Sequence, residues 1–234
     1  MKVKAAVVFE TAAHPFTETQ PLKIEEVDLD PPGPGEVLVK VMAAGLCHSD
    51  LSAIEGVRPR KMPYVPGHEA SGIVEEVGEG VTRVKPGDHA VLFFVPNCGT
   101  CLSCDRGEPY LCDTAYEARS DGHLITGNHK IRLNGEVINH TSGVSCYSEH
   151  MVLAEGSVIP IEKDIPLEDA ALFGCAVITG VGAVVNTAAI PPGATVAVLG
   201  LGGVGLNAMM AATLSGAEQV IAVDVQGDKL AFAR

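Results

Sequence analysis

Thr195-Val-Ala-Val-Leu-Gly200-Leu-Gly-Gly-Val-Gly205 is the stretch whose reading decides the fold. Five aliphatic and β-branched residues, 195–199, read as a short buried strand. They run into a turn with glycine at its first, third and sixth places, Gly200-Leu201-Gly202-Gly203-Val204-Gly205. An apolar run over 204–215 reads as a helix, 220–223 as a second strand, and Asp228 as the start of another helix. Strand, glycine turn, helix and strand make one β-α-β unit, so this end of the chain is α/β with a parallel sheet.

That context gives the glycines a chemical meaning. Backbone N–H groups at a helix N-terminus receive a pyrophosphate, and glycine lets the backbone approach it. Asp224, 19 residues after Gly205, falls at the end of the second strand, where a carboxylate can hydrogen-bond ribose hydroxyls. A carboxylate there repels a 2′-phosphate, so the expected cofactor is NAD rather than NADP. A doubly wound sheet needs about six strands. Two are found before Arg234, so the chain is expected to be a truncated piece of a longer protein.

Upstream the texture differs. Residues 167–189, rich in Ala, Val and Gly, read as helical between Pro166 and Pro191-Pro192-Gly193. Before about residue 161, short β-type runs at 4–9, 22–27, 36–44, 71–77, 89–94, 149–154 and 157–160 alternate with Pro/Gly turns, which predicts a barrel-like β domain. Between them, residues 97–145 hold a cysteine cluster and then a polar stretch, 113–140, of weak periodicity. These read as a metal-stapled lobe followed by a loop-rich excursion.

The cluster is Cys98-x2-Cys101-x2-Cys104-x7-Cys112, four thiols within 15 residues. A closed tetrahedral shell of four thiolates is a structural zinc site, because no position is left for a substrate. The rivals are four unrelated thiols or an iron–sulfur cluster, and the fourth spacing, followed by Asp113 rather than proline, fits the cluster pattern poorly. A second, dispersed set is Cys47-His48-Ser49-Asp50, Gly67-His68-Glu69 and Gly174-Cys175. Alone each is a weak signal, since an isolated cysteine is usually a small core residue. Together they supply two thiolates and an imidazole, a known catalytic zinc shell.

Composition sets bounds. The 234 residues carry 16 basic and 29 acidic side chains, net charge −13, which argues against nucleic acid or an anionic membrane surface as partner. The longest apolar runs, such as 193–205, are glycine-broken and too short to span a bilayer. Seven cysteines without a signal peptide suggest a reducing compartment, so a cytoplasmic protein is expected. His14, His89, His123, His129 and His150 lack ligand spacing and are expected to be surface or satisfied histidines. Cys146, in a strand-like run, is expected to be a packed thiol.

Taken in order, Gly-Leu-Cys47-His48-Ser49-Asp50, Pro66-Gly67-His68-Glu69, the four clustered cysteines, Gly174-Cys175 and the turn at 200–205 resemble the zinc-dependent alcohol dehydrogenases of the medium-chain dehydrogenase/reductase superfamily. The resemblance runs along essentially the whole chain. It implies a GroES-like β-barrel catalytic domain over 1–175, with the structural-zinc lobe at 97–113. The start of a Rossmann doubly wound domain follows over 176–234. It also implies two zinc ions per chain and NAD.

By resemblance, Cys47, His68 and Cys175 ligate the catalytic zinc, Glu69 is an alternate ligand, and Asp50 orients His68. Ser49 bonds the substrate oxygen and passes its proton outward. His48 stands where members place a basic residue near the pyrophosphate, and Ser52 stands where several members end the relay in a histidine. Thr179 matches a nicotinamide contact, Lys229 a second ribose contact and Phe94 a wall of the substrate pocket.

The implied reaction transfers a hydride between an alcohol and NAD to give an aldehyde or ketone. The implied assembly is a homodimer or homotetramer. The long 113–140 excursion resembles the branch that includes glutathione-dependent formaldehyde dehydrogenases. Other readings of the same residues are a dehydrogenase for a polyol, an amino alcohol or a thiol adduct, or a zinc-binding fragment that turns nothing over.

Overall fold

Residues 36–39 show how the first part of the chain is built. Val37 and Val39 pack into one apolar core, while Leu38 between them enters another. Successive side chains of a strand point to opposite faces. A strand buried on both sides therefore needs the continuous apolar run that Val-Leu-Val supplies. Its neighbour repeats the device, Met151 and Leu153 entering the first core and Val152 the second.

A computed structural model describes residues Met1–Arg234, in two units, Met1–Gly174 and Cys175–Arg234. In the first, β1 (Lys2–Val8) leads through α1 (Phe16–Thr19) to β2 (Leu22–Leu29). Next, β3 (Glu36–Ala44) leads to α2 (His48–Ile54), β4 (Tyr64–Val65), β5 (Ala70–Val77) and β6 (His89–Leu92). A small lobe carries α3 (Leu102–Asp105) and then α4 (Asp113–Asp121). After it come β7 (Ile131–Leu133), β8 (Glu136–His140), β9 (His150–Ala154), β10 (Val158–Ile161) and the turn α5 (Leu167–Ala170). Strands β1-β2-β7-β8-β4 close a barrel, and β10-β6-β5-β3-β9 form the sheet beside it.

The stretch 113–140 departs from expectation. It is not loop-rich: it holds α4 and the antiparallel hairpin β7–β8, which closes the barrel between β2 and β4. Leu124, Ile131 and Ile138 are all buried in the barrel core. Burying each such side chain is worth about 1.5–3 kcal/mol. The signal was Asn134-Gly135, both at positive φ, joining Leu133 to Glu136 by a two-residue turn. An Asn-Gly pair matches the right-handed twist of a hairpin. The polar flanks hid three apolar anchors.

One buried ion pair pins this segment to the barrel. Lys130 Nζ lies 2.5 Å from Glu36 Oε2, and Glu36 is wholly buried. Thr126 Oγ1 and Asn128 Nδ2 donate to Glu36 Oε1, and Gly33 N donates to Oε2. Burial pushes the Glu36 carboxyl up, but these donors outweigh it and hold it below the ordinary range.

The second unit holds α6 (Ala176–Gly182), β11 (Thr195–Leu199), α7 (Gly203–Leu214), β12 (Gln219–Val223) and α8 (Gly227–Phe232), with β11 and β12 parallel. Residues 167–189 are not one helix. Cys175, at φ −143° and ψ −71°, interrupts the helical backbone, and Ala183–Ala188 is a π-helical turn. Strand β11 is less buried than its apolar run suggested: Leu199 is 78% exposed, because α7 and one neighbouring strand are its cover within the unit. No single helix is long and apolar enough to cross a membrane.

Candidate metal centres and dinucleotide loop

The four-cysteine lobe is local. Within the group the sulfurs lie within 4.8 Å of one another, with Cys101–Cys104 at 3.5 Å and Cys101–Cys112 at 3.9 Å. A tetrahedral zinc with Zn–S near 2.3 Å sets sulfurs about 3.8 Å apart, so the spacing fits that ion. All seven cysteines are free of disulfides. Backbone amides already point at sulfur: Cys101 N and Thr100 N at Cys98 Sγ, Cys98 N and Ala115 N at Cys112 Sγ. Such donors favour thiolate over thiol. Hydrogen bonds from Thr114 first, then from Thr100, push the Cys98 thiol down to about 5. Desolvation and the neighbouring thiols push Cys104 up to about 12.

The second set is assembled from distant parts of the first unit. Cys47 ends the loop after β3 and caps α2, while His68 and Glu69 precede β5. The ligand atoms of Cys47, His68 and Glu69 lie within 4.8 Å of one another. His68 and Glu69 are buried. His68 Nδ1 lies 3.1 Å from Asp50 Oδ1, which also accepts from Gly67 N. With Nδ1–H on Asp50, the Nε2 lone pair faces Cys47 and Ser49, the arrangement a metal-bound imidazole needs. Burial disfavours the imidazolium, but hydrogen bonds with Asp50 and Cys47 outweigh it and raise His68 to about 9. A divalent cation at Nε2 competes with that proton.

Ser49 joins the set: its Oγ is 3.2 Å from Cys47 Sγ and 3.3 Å from His68 Nε2. Phe94 meets the His68 ring edge-on at 5.1 Å and lines a cleft of about 300 Å³ with Leu111, Tyr116 and Arg119. Gly45 makes room for Glu69, since a Cβ there would collide with the Glu69 carboxylate.

His48 is not brought to Ser49. It is exposed at the start of α2 and lines a cavity of about 640 Å³ with Leu22 and Leu51, to which Cys47, Asp50 and Tyr147 also contribute. Ser52 Oγ donates to the His48 carbonyl, so that hydroxyl is committed to the helix backbone.

One positioning residue was not singled out from the sequence. Tyr147 OH lies 3.3 Å from Asp50 Oδ2 and 3.2 Å from the Gly45 carbonyl, behind the Asp50–His68 pair. It sits 79 positions after His68, so no local spacing reveals it. Burial and then the Asp50 charge push its phenol well above the ordinary value. Cys146 is packed as expected, donating to the Glu69 carbonyl, but from an irregular segment and not a strand. Of the other histidines, His14 pairs with Glu55 and His150 with Glu75. The shielded Nδ1 atoms of His89, His129 and His150 have no hydrogen-bond partner.

In the second unit, Gly200 takes φ +93° and Gly202 caps α7 without a side chain. A Cβ at Gly205 would strike the Gly200 carbonyl, while one at Gly202 would meet open space. The turn is thus closed on itself and open toward the helix N-terminus. Asp224 Oδ2 accepts from Leu201 N at 2.7 Å and Oδ1 from Gln226 N at 2.9 Å. These bonds hold its carboxyl below the ordinary range. The Leu201 amide is therefore spent on Asp224, and the amides aimed outward are those at the start of α7. Thr179 is exposed on α6, and Lys229 lies in α8, where its charge reaches Asp224. Cys175 is the first residue of this unit, and its carbonyl accepts a hydrogen bond from Thr179 N.

Residues 33–163 match the Alcohol dehydrogenase GroES-like domain family. The chain is 44% identical over 224 residues to a Mycobacterium tuberculosis protein named "Putative alcohol dehydrogenase D", covering 96% of this chain and 59% of the relative. Among solved structures it is similar to an alcohol dehydrogenase zinc-binding domain protein from Burkholderia ambifaria, with 36% identity, TM-score 0.91, and coverage of 100% of this chain and 61% of that one. It is similar also to benzyl alcohol dehydrogenase from Acinetobacter calcoaceticus, with 33% identity, TM-score 0.89, and coverage of 100% and 61%. The chain spans about 59% of the length of the curated relatives it matches.

Proposed function

The chain belongs to the zinc-dependent alcohol dehydrogenases of the medium-chain superfamily, and from that premise we propose that it carries the zinc sites and the first part of the NAD site of an alcohol dehydrogenase. The reaction is oxidation of an alcohol to an aldehyde or ketone with NAD as hydride acceptor, or its reverse. The single observation that carries this reading is the Cys47–His68–Glu69 set, with His68 and Glu69 buried and His68 oriented by Asp50.

Cys47 and His68 hold the catalytic zinc, with Cys175 as third ligand. Cys175 is one peptide bond from Gly174, which packs so tightly on Leu92 that a Cβ would collide with its carbonyl. Glu69 stands beside them as an alternate ligand. Zinc, when bound, supplies a Lewis acid that lowers the pKa of an alcohol. Ser49, against Cys47 and His68, accepts the hydroxyl proton of the substrate as it passes its own outward toward the cofactor ribose. Asp50 keeps the imidazole in the tautomer that presents Nε2. Phe94 gives the substrate body an apolar wall.

The N-terminus of α7, at Gly202, Gly203 and Val204, receives the pyrophosphate, with His48 as a basic neighbour. Asp224 receives ribose hydroxyls on lone pairs left after bonding Leu201 and Gln226, and Lys229 is a second ribose contact. The negative charge of Asp224 disfavours a 2′-phosphate, which supports NAD over NADP. Thr179 contacts the nicotinamide. Cys98, Cys101, Cys104 and Cys112 hold a second, structural zinc. Seven cysteines without a disulfide suit a reducing compartment, here the cytoplasm, and the working protein is a homodimer or homotetramer.

Metal analysis tests the sites: two zinc per chain are expected, falling to one in either C47S or C98S. NADH absorbance with a panel of alcohols tests the reaction. Retention of both zinc ions by C47S would overturn the ligand assignment. Absence of turnover from zinc-loaded protein, with NAD and with NADP, would overturn the dehydrogenase reading.

A further inference from the structure

Three of the chain's arginines line one cleft without a carboxylate among them. Arg58 and Arg60 follow α2, and Arg119 projects from α4; with Tyr116 and Ser120 they bound an open cleft of roughly 550 Å³. None of the three forms an ion pair, although Arg132 elsewhere pairs with Asp30. Acidic residues outnumber basic ones 29 to 16 in this chain, so carboxylates were available, and none lines the cleft. The Nε of Arg60 is shielded from water and has no hydrogen-bond partner. An unmatched buried N–H of a charged group is costly, and an acceptor placed beside it relieves that cost. The charges of Arg119 and Arg58 bear unfavourably on Arg60, offset in part by the Asp50 carboxylate, which does not line the cleft. The guanidinium of Arg119 lies 5.8 Å from the centre of the Tyr116 ring, which holds it in place.

The cleft is joined to the centre described above. Tyr116 and Arg119 line both this cleft and the smaller one that begins at Phe94, and Phe94 touches His68. Phe94, Leu111, Tyr116 and Arg119 thus stand between the imidazole and the other two guanidinium groups, with Asp113 the one carboxylate on the smaller cleft. Guanidinium forks bind carboxylate and phosphate oxygens in pairs.

We propose that Arg58, Arg60 and Arg119 form an anion-receiving subsite, and that the substrate is an alcohol or aldehyde with an apolar body and a carboxylate or phosphate at its far end. The first half stands on the arginine cleft alone. The second rests on the zinc-dehydrogenase reading of Cys47 and His68.

Isothermal titration calorimetry with inorganic phosphate, on the zinc-loaded chain at low ionic strength, tests the first half. Saturable binding is expected, weakened roughly tenfold or more in R60Q and in R119Q and unchanged in C47S. If neither arginine variant moves the affinity, or phosphate fails to saturate at millimolar concentrations, the subsite is refuted. R58Q and R60K guard against a folding defect in R60Q: circular dichroism must match the parent, and R60K should retain part of the affinity.

A matched pair of probes, 4-(hydroxymethyl)benzoate and benzyl alcohol, tests the second half. The carboxylate should improve binding roughly tenfold, and R119Q should abolish that advantage. Equal binding of the two, with phosphate binding intact and arginine-dependent, would mean a free anion occupies the cleft and would overturn the substrate assignment. Loss of the carboxylate's advantage in C47S, with phosphate binding kept, would tie it to the metal end as proposed. An advantage unchanged in C47S would sever the link and leave the arginine subsite standing.

Discussion

The two cysteine-bearing centres of the first unit use the same element by opposite means. The lobe at Cys98, Cys101, Cys104 and Cys112 spans 15 residues, is half exposed, and draws its stabilising donors from its own backbone amides. The centre at Cys47 and His68 is built by residues up to 100 positions apart, Cys47 to Tyr147, and its key groups, Asp50, His68 and Glu69, are buried. A local centre with a closed sulfur shell spends its metal on holding chain together. A dispersed centre lets the fold hold the ligands, so the metal is left free for chemistry. On the proposed reading the first stabilises the fold, and the second depends on it.

The largest effect that can break this contrast is loss of a ligand on each side. C98S should lose one zinc and several kcal/mol of stability, an apparent Tm drop on the order of 10 °C. C47S should lose the other zinc and all turnover while its Tm moves by about 3 °C or less. Paired metal analysis and thermal melts check both. A Tm loss in C47S as large as in C98S would erase the distinction.

Next comes the clamp that holds the chain after the lobe. E36Q leaves Lys130 buried without its partner, which costs about 3–5 kcal/mol. The effect carries a pH signature. Glu36 is held below its ordinary pKa, so its stabilisation is complete above the ordinary carboxylate range and is lost as pH falls through the depressed value. His140, pushed down to about 3 by burial, must stay neutral in the fold while it protonates in the unfolded chain. Its contribution is therefore full above the unfolded value, near 6.5, and is lost from there down toward about 3. Acid melts should show two phases of loss, with the lower one absent in E36Q. If E36Q and C98S add without interaction, the lobe is an independent staple.

A smaller effect probes the dispersed centre alone. D50N keeps the shape but removes the charge that orients His68. Metal affinity at that centre should fall 10–100-fold while the lobe keeps its zinc. A chelator titration followed by metal analysis resolves the two sites.

The contrast also explains what could be read in advance. The sulfur lobe and the glycine turn at 200–205 were legible because their chemistry lies in short spacings, and the strands at 36–44 and 195–199 because one face or both carry a clean apolar pattern. The hairpin at 131–140 was lost because its buried anchors, Ile131 and Ile138, and Leu124 just before it, lie among polar residues, although Asn134-Gly135 marked the turn. The break at Cys175 was lost because alanine-rich composition favours helix on both sides of it. The arginine cleft joins residue 58 to residue 119, and nothing in either neighbourhood names the other.

Tyr147 gives the mildest and most discriminating test. Its hydroxyl has two acceptors within 3.3 Å, Asp50 Oδ2 and the Gly45 carbonyl, and one proton to give. Donation to Asp50 stabilises the carboxylate that accepts from His68; donation to Gly45 fixes the backbone just before Cys47. Y147F removes the proton and keeps the ring, which packs where a Cβ on Gly67 would intrude. A neutral hydrogen bond is worth about 1 kcal/mol, so a purely structural role predicts a Tm loss of about 2–4 °C and unchanged metal affinity. A positioning role through Asp50 predicts about a fivefold weaker hold on the catalytic zinc as well. D50N discriminates again: if Tyr147 acts through Asp50, Y147F should add nothing to the metal-affinity loss of D50N. If the two losses sum, the phenol acts through the Gly45 carbonyl and the loop that carries Cys47.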